Sequence, residues 1–202
     1  MRNVLEINGL TKTYDRFTLD NISFALPEGS IMGFIGENGA GKTTTIKLIL
    51  NIINRDKGKI KIFGRDDKVD DAELKQDIGV VLDEINFPDS LTPRNINQFM
   101  RHIYSNWDQQ VFYNHLDQFA LPQCKELKSF SRGMKMKLSI AVALSHNAKL
   151  LILDEPTSGL DPVVRDEILD IFLEFIQDEQ HSIFLSTHIT SDIEKVADYI
   201  TF

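Results

Sequence analysis

The sequence predicts an open α/β fold with a mostly parallel sheet. Short apolar runs alternate with stretches of helical periodicity, and the runs at 78–82, 150–153 and 182–185 are continuously apolar or nearly so. A glycine-rich turn joins another apolar run, Ile31-Met32-Gly33-Phe34-Ile35, to the helical pattern after it. Continuous apolar strands are buried on both faces, as in a parallel sheet with crossover helices. Ligands of such sheets sit beyond the carboxyl ends of the strands.

Val4 to Leu10 and Thr18 to Leu26 read as strands, with Tyr14 in the connection between them. The turn Pro27-Glu28-Gly29 leads into Ile31 to Ile35, and a helix is expected over Thr44 to Ile53. Lys59 to Phe63 and Ile78 to Leu82 are further strands, separated by a polar turn from Gly64 to Asp71. Thr92-Pro93 supplies a cap and a first-turn proline, so a helix should run from there to Tyr104. Helices over Asp108 to Ala120 and Ser131 to His146 follow, which makes Ile85 to Asn147 a helical insertion in the sheet. The division is a core of 1–84 and 148–202 with a helical subdomain of 85–147. A helix from Pro162, the strand Ser182 to Leu185, a short helix from Ile189 to Ala197 and a strand beginning at Tyr199 complete the pattern. That last strand predicts a chain that continues past Phe202.

The turn Gly36-Glu37-Asn38-Gly39-Ala40-Gly41-Lys42-Thr43 is a phosphate cradle in this context. Its glycines permit close backbone approach, and the N–H groups of the loop and of the helix start, including Thr44, point at one anion. Lys42 reaches the terminal phosphates and Thr43 offers a hydroxyl to Mg²⁺. Asp154, ending an apolar strand, can supply a carboxylate to that cation, which leaves Glu155 to orient or deprotonate a water. His188 follows another strand of the same sheet and can reach a phosphate or that water, though a histidine there can equally be plain structure.

With 202 residues, 42% of them hydrophobic and 26% charged, the chain is large enough for one well-cored domain. A net charge of −8 gives no electrostatic reason to expect nucleic acid as a partner, although Lys125, Lys128, Arg132, Lys135 and Lys137 form a local basic cluster. One cysteine, Cys124, excludes an internal disulfide and a cysteine metal cluster. No run approaches the ~20 apolar residues of a membrane span, and the start carries no signal-peptide core. A soluble, cytoplasmic protein is expected.

Asp154-Glu155-Pro156-Thr157-Ser158-Gly159-Leu160-Asp161-Pro162, taken with Ser131-Arg132-Gly133-Met134, resembles the nucleotide-binding subunit of ATP-binding-cassette (ABC) transporters over essentially the whole chain. The resemblance implies a P-loop NTPase core with N-terminal antiparallel strands and an inserted α-helical subdomain. It matches Gly36 to Thr43 to the Walker A loop, Leu150 to Glu155 to Walker B, and Ser158, Gly159, Leu160 and Asp161 to the D-loop. It makes His188 the switch histidine and Tyr14 the base-stacking aromatic. It further implies ATP and Mg²⁺ as ligands, hydrolysis, and a head-to-tail pair in which Ser131, Arg132, Gly133 and Met134 of one copy meet nucleotide on the other. Transmembrane permease subunits would then hold the chain at the cytoplasmic face of the membrane.

Two motifs depart from the family pattern, the signature at Arg132 and Met134 and the loop after Leu82 at Asp83. The signature is usually Ser-Gly-Gly-Gln, and the basic form found here is similar to that of bacterial exporters of drugs and antimicrobial peptides. Asp83, with Glu84 as a rival, stands where a glutamine is usual; a carboxylate can serve Mg²⁺ but cannot donate as an amide does. Asn86 to Trp107 should face the permease, with Phe87 and Trp107 as contact candidates. Two other readings remain: a soluble ABC ATPase acting on ribosomes or DNA, and a P-loop kinase. The double cassette or coiled coil of the first is not present in the sequence, and the Ser131 signature with Ser158-Gly159-Leu160-Asp161 speaks against the second.

Overall fold

The computed structural model describes residues 2–66, 72–83 and 87–202. The expected Glu84, Ile85 and Asn86, and the end of the polar turn from Gly64, lie outside the described residues. The chain opens with β1 (Asn3–Tyr14) and β2 (Phe17–Pro27), an antiparallel hairpin. It continues through β3 (Ile31–Ile35), α1 (Lys42–Ile49), β4 (Lys57–Ile62), β5 (Arg65–Asp66), α2 (Ala72–Gln76) and β6 (Ile78–Val81). Next come α3 (Pro93–Ile103), α4 (Gln109–Gln118), a 3₁₀ turn at Leu127–Ser129 and α5 (Arg132–Leu144). β7 (Leu150–Asp154), α6 (Pro162–Phe175), β8 (Ser182–Thr187), α7 (Thr190–Val196) and β9 (Tyr199–Thr201) end it.

One sheet is antiparallel, ordered β2-β1-β4-β5, and the other is parallel, ordered β6-β7-β8-β3-β9. Successive residues of the parallel strands enter opposite cores. Leu151, Leu153, Ile183 and Leu185 join the helical side with Phe112, Leu138 and Phe172. Leu150, Ile152 and Phe184 face the antiparallel sheet and α1, among Ile7, Leu26, Ile46 and Ile60. That two-sided burial is why the runs are apolar without alternation.

Between β6 and β7 the described chain forms only helices and turns. Gln76 of α2 ties the end of α3 to the end of this segment: its side chain donates to Ile103 O and accepts from Ser105 N, while His146 Nδ1 meets Gln76 O at 3.0 Å and its ring stacks on Tyr104. Helix starts follow the sequence chemistry. Thr92 and Asn95 form a reciprocal capping box before Pro93, Asp108 caps α4, Ser131 caps α5 and Asp161 caps α6.

Three sequence expectations need correction. α1 starts earlier, at Lys42, and stops at Ile49 rather than Ile53. Asn51 takes a left-handed φ of 55°, and Ile52 N–H returns to Lys47 O while Asn51 N–H bonds Leu48 O, a Schellman ending. β1 runs on to Tyr14, which pairs with Phe17 across a two-residue turn, so Tyr14 belongs to a strand and not a loop. The basic cluster near α5 is largely neutralised, since Lys128 pairs with Glu126, Arg132 with Asp83, Lys135 with Asp89 and Lys137 with Glu167.

Phe184 sits at the middle of the parallel sheet, stacked on Phe24 with ring centroids 5.4 Å apart and packed against Phe34 at 5.7 Å. Truncating a fully buried phenylalanine typically removes about 3–5 kcal/mol. Phe184→Ala is therefore expected to lose stability on that scale in urea denaturation; a loss below about 1 kcal/mol would contradict this view of the core.

Candidate active site

Three chain segments leave the parallel sheet at one edge. β3 pairs with β8 so that Ile35 lies opposite Thr187, and β7 pairs with β8 so that Asp154 lies opposite Ser186. The glycine loop, the Asp154-Glu155 pair and His188 consequently emerge side by side. Adjacent to them is a pocket of about 250 Å³ lined by Phe17, Asn38, Gly39, Gly41, Lys42, Thr43, Thr44, Asp83 and Glu155.

The loop's shape depends on glycine at two points. Gly39 has φ of 87° and Gly41 of 106°, and a Cβ on Gly41 would also fall 2.8 Å from the Phe17 ring. Gly41 occupies the N-cap of α1 and no side chain caps that helix, so the first N–H groups, of Lys42, Thr43 and Thr44, are free of side-chain partners at the cap. These orphan donors and the positive helix end suit this side of the pocket to an anion. Lys42 is folded back into the loop: its ammonium donates to Gly36 O at 2.6 Å and Glu37 O at 3.1 Å, and pairs with Glu155 Oε1 at 3.1 Å. Two of its N–H groups thus go to loop carbonyls, while buried Glu155 Oε1 lies at ion-pair distance and accepts no hydrogen bond from the described residues.

Both oxygens of buried Asp154 accept from hydroxyls. Thr43 Oγ1 donates to Oδ2 at 2.8 Å and Ser186 Oγ to Oδ1 at 2.6 Å. Glu155, next in the chain, adopts a left-handed φ of 50°, held by its N–H bonding Ser186 O. That turn is strained for a residue with a Cβ, and it directs the carboxylate away from Asp154. Glu155 Oε2 lies 2.7 Å from His188 Nδ1, so the carboxylate sits between an ammonium and an imidazole. The bond places the imidazole proton on Nδ1 and leaves Nε2 available.

Among the described residues no three His, Cys, Asp or Glu side chains gather to hold a metal by themselves. Mg²⁺ does not require that: it commonly takes one or two protein oxygens and completes its shell with waters and phosphate. The hydroxyl of Thr43 against the carboxylate of Asp154 fits that demand.

The remaining predicted residues lie around this centre. Tyr14 is 45% exposed with Lys12 Nζ over its ring, and the aromatic that lines the pocket is its cross-strand partner Phe17. Ser131 accepts from Met134 N at 3.2 Å, and neither Ser131, Gly133 nor Met134 lines the pocket. Arg132 reaches its rim through Asp83. Ser158 N–H bonds Glu155 O, Gly159 has φ of 68°, Leu160 is buried and Asp161 Oδ1 accepts from Val164 N. Phe87 and Trp107 are partly buried against the helical core, and Trp107 Nε1 donates to Asn97 Oδ1 at 2.9 Å. The exposed aromatic and aliphatic residues of that stretch are Phe99 and Ile103, 59% and 45% exposed.

Sequence reasoning does not single out Ser186, Phe17 or the buried pair in which Thr157 Oγ1 donates to Asp192 Oδ2. A hydroxyl ending an apolar strand is the signal that could mark Ser186.

The family model described as ABC transporter matches residues 19–158, and one described as an AAA domain matches residues 126–191. The chain is 36% identical over 203 residues to the bacitracin transport ATP-binding protein BcrA of Bacillus licheniformis, taking in 99% of this chain and 66% of that protein. It thus spans just under two thirds of that relative's length. It is 34% identical over 202 residues to the lantibiotic transport ATP-binding protein SrtF of Streptococcus pyogenes, covering 98% of this chain and 86% of that one. A solved structure of the ATP binding subunit of an ABC transporter superposes with a TM-score of 0.83 at 27% identity, covering 98% of this chain and 84% of the other.

Ser186→Ala would leave one oxygen of a buried carboxylate without a donor. An unsatisfied buried group costs about 1–3 kcal/mol, more when charged. The expected result is a loss of at least about 1 kcal/mol in chemical denaturation at neutral pH; no loss would mean that Asp154 does not depend on Ser186.

Proposed function

The chain belongs to the ABC transporter family, and from that premise we propose that it binds and hydrolyses ATP to drive export through separate membrane subunits. The observation that carries the hydrolytic reading is the position of Glu155, held between Lys42 and His188 one residue beyond the Thr43–Asp154 contact.

In this reading the triphosphate lies in the loop from Gly36 to Thr44, its β and γ oxygens on the N–H groups of the loop and α1. Lys42 exchanges Glu155 for phosphate oxygens, which frees that carboxylate from its cation. Glu155 then orients the attacking water and takes up its proton at Oε1, while His188, fixed through Nδ1, offers Nε2 to the water or the γ-phosphate. Thr43 and Asp154 would hold Mg²⁺, with Asp83 at the same rim, and the cation supplies charge neutralisation of the phosphates. Phe17 and Tyr14 at the hairpin end offer aromatic surface for the base.

Ser131, Arg132, Gly133 and Met134 are oriented by the Ser131 cap, and they would meet the nucleotide of a second copy of this chain or a related subunit. The helices between β6 and β7, about residues 85–147, would act as a subdomain that moves with closure. A groove of about 290 Å³ beside β6, between the end of α1 and α2, is lined by Ile49, Ile52, Leu74, Val80 and Leu82, with Tyr104 as its contact to those helices. With exposed Phe99 and Ile103 it offers the apolar surface a permease would cover. Among the described residues no helix is long and apolar enough to cross a membrane, so attachment at the cytoplasmic face would be through that partner. The names of the similar proteins, concerned with bacitracin and lantibiotic transport, favour an antimicrobial peptide as cargo.

Glu155→Gln should lower phosphate release by about 10²-fold or more, the usual worth of a positioned base, with ATP affinity retained. Turnover within a few-fold of the parent would remove Glu155 from its role. Lys42→Ala should weaken ATP binding in equilibrium titration, and unchanged affinity would count against the loop as the phosphate site.

A further inference from the structure

Two of the residues that depart from the family pattern, Arg132 and Asp83, bond to each other. Arg132 Nη2 lies 2.5 Å from Asp83 Oδ1, with the side chains 51% and 46% exposed. Arg132 opens α5, whereas Asp83 follows β6 and lines the pocket beside Lys42, Thr43 and Glu155. The pair therefore joins the pocket wall to the helix start that carries the signature residues. Gly159 leaves room for it: a Cβ there would come within 2.8 Å of Arg132 Nη1 and 3.3 Å of Cζ. A second ion pair, Lys137–Glu167, also leaves α5 for the core, and neither of its residues lines the pocket.

A half-exposed ion pair is weak and exchanges readily when a better counter-charge arrives. Asp83 lines the same pocket as Thr43, whose hydroxyl bonds Asp154, so a divalent cation held by that pair would supply such a counter-charge. We propose that Arg132 and Asp83 form a charge latch: Arg132 occupies Asp83 in the nucleotide-free chain and must release it for Asp83 to serve the pocket's cation. This rests on the ATP reading above. The latch acts with opposite sign in two conditions. With Mg²⁺, Arg132 competes for Asp83 and opposes nucleotide binding. Without Mg²⁺, it cancels a negative charge that would repel the phosphates, and so favours binding.

The test is equilibrium binding of ATP to the full chain, at protein concentrations too low for association, with Mg²⁺ and with EDTA. Arg132→Met is expected to raise affinity up to about fivefold with Mg²⁺, the scale of an exposed pair, and to lower it in EDTA. In an Asp83→Asn background Arg132→Met should no longer raise affinity with Mg²⁺. Lys137→Met, which breaks the other pair from α5, should change neither value. The latch is overturned if Arg132→Met moves both affinities in the same direction, or if its gain with Mg²⁺ persists without Asp83. Absence of ATP binding by the parent chain in both conditions, with Lys42→Ala indistinguishable from it, overturns the ATP reading and the latch together.

Discussion

Everything at the candidate active site depends on the register of three neighbouring parallel strands. β7, β8 and β3 are hydrogen-bonded so that Leu153 lies opposite Leu185, which lies opposite Gly33, and Asp154 opposite Ser186, which lies opposite Phe34. Chemistry that is distant in sequence is delivered to one level by that pairing: a loop near residue 40, an acidic pair near 154 and a histidine at 188. Parallel strands alternate their faces, so a slip of one residue would send Phe184 and Ile152 into the wrong core and carry Asp154 away from Thr43. Burial on both faces is what enforces the register.

Polar contacts then fix the groups that the sheet delivers. Ser186 serves twice, through its hydroxyl to Asp154 and its carbonyl to the Glu155 N–H. The second bond holds the left-handed backbone of Glu155, the step that separates two consecutive carboxylates into different tasks. Lys42 and His188 complete the clamp on Glu155. A site whose cation is already paired with its own acid is prepared to exchange that partner for phosphate, which links occupancy of the loop to the freedom of Glu155.

Much of this arrangement is legible in the sequence. The glycine loop, the apolar run into Asp154-Glu155 and the capped start at Ser131 each carry a local physical signature, and the strands and helices follow from continuous runs, periodicity and caps. The features that are not legible are those set by tertiary pairing. Tyr14 reads as a loop residue because hairpin pairing beyond Leu10 leaves no hydrophobic pattern. The bond from the Trp107 indole N–H to Asn97 is set by packing in the helical core that the sequence does not show. Ser186 and the Thr157–Asp192 contact are ordinary polar letters whose value comes only from burial beside a carboxylate or a hydroxyl. The end of α1 falls short of its periodic pattern because Asn51 adopts a left-handed cap, a choice open to asparagine but not announced by it.

In the proposed function this pocket is half of a composite site, since Ser131, Gly133 and Met134 lie off it in their own chain while the cap at Ser131 leaves them ordered for a nucleotide elsewhere. The most direct measurement is sedimentation of the Glu155→Gln chain with and without ATP, together with nucleotide stoichiometry. A composite site predicts a monomer without ATP and, with it, a dimer holding two nucleotides that dissociates when ATP is removed. A chain that binds ATP yet remains monomeric at high protein and nucleotide concentrations would contradict it.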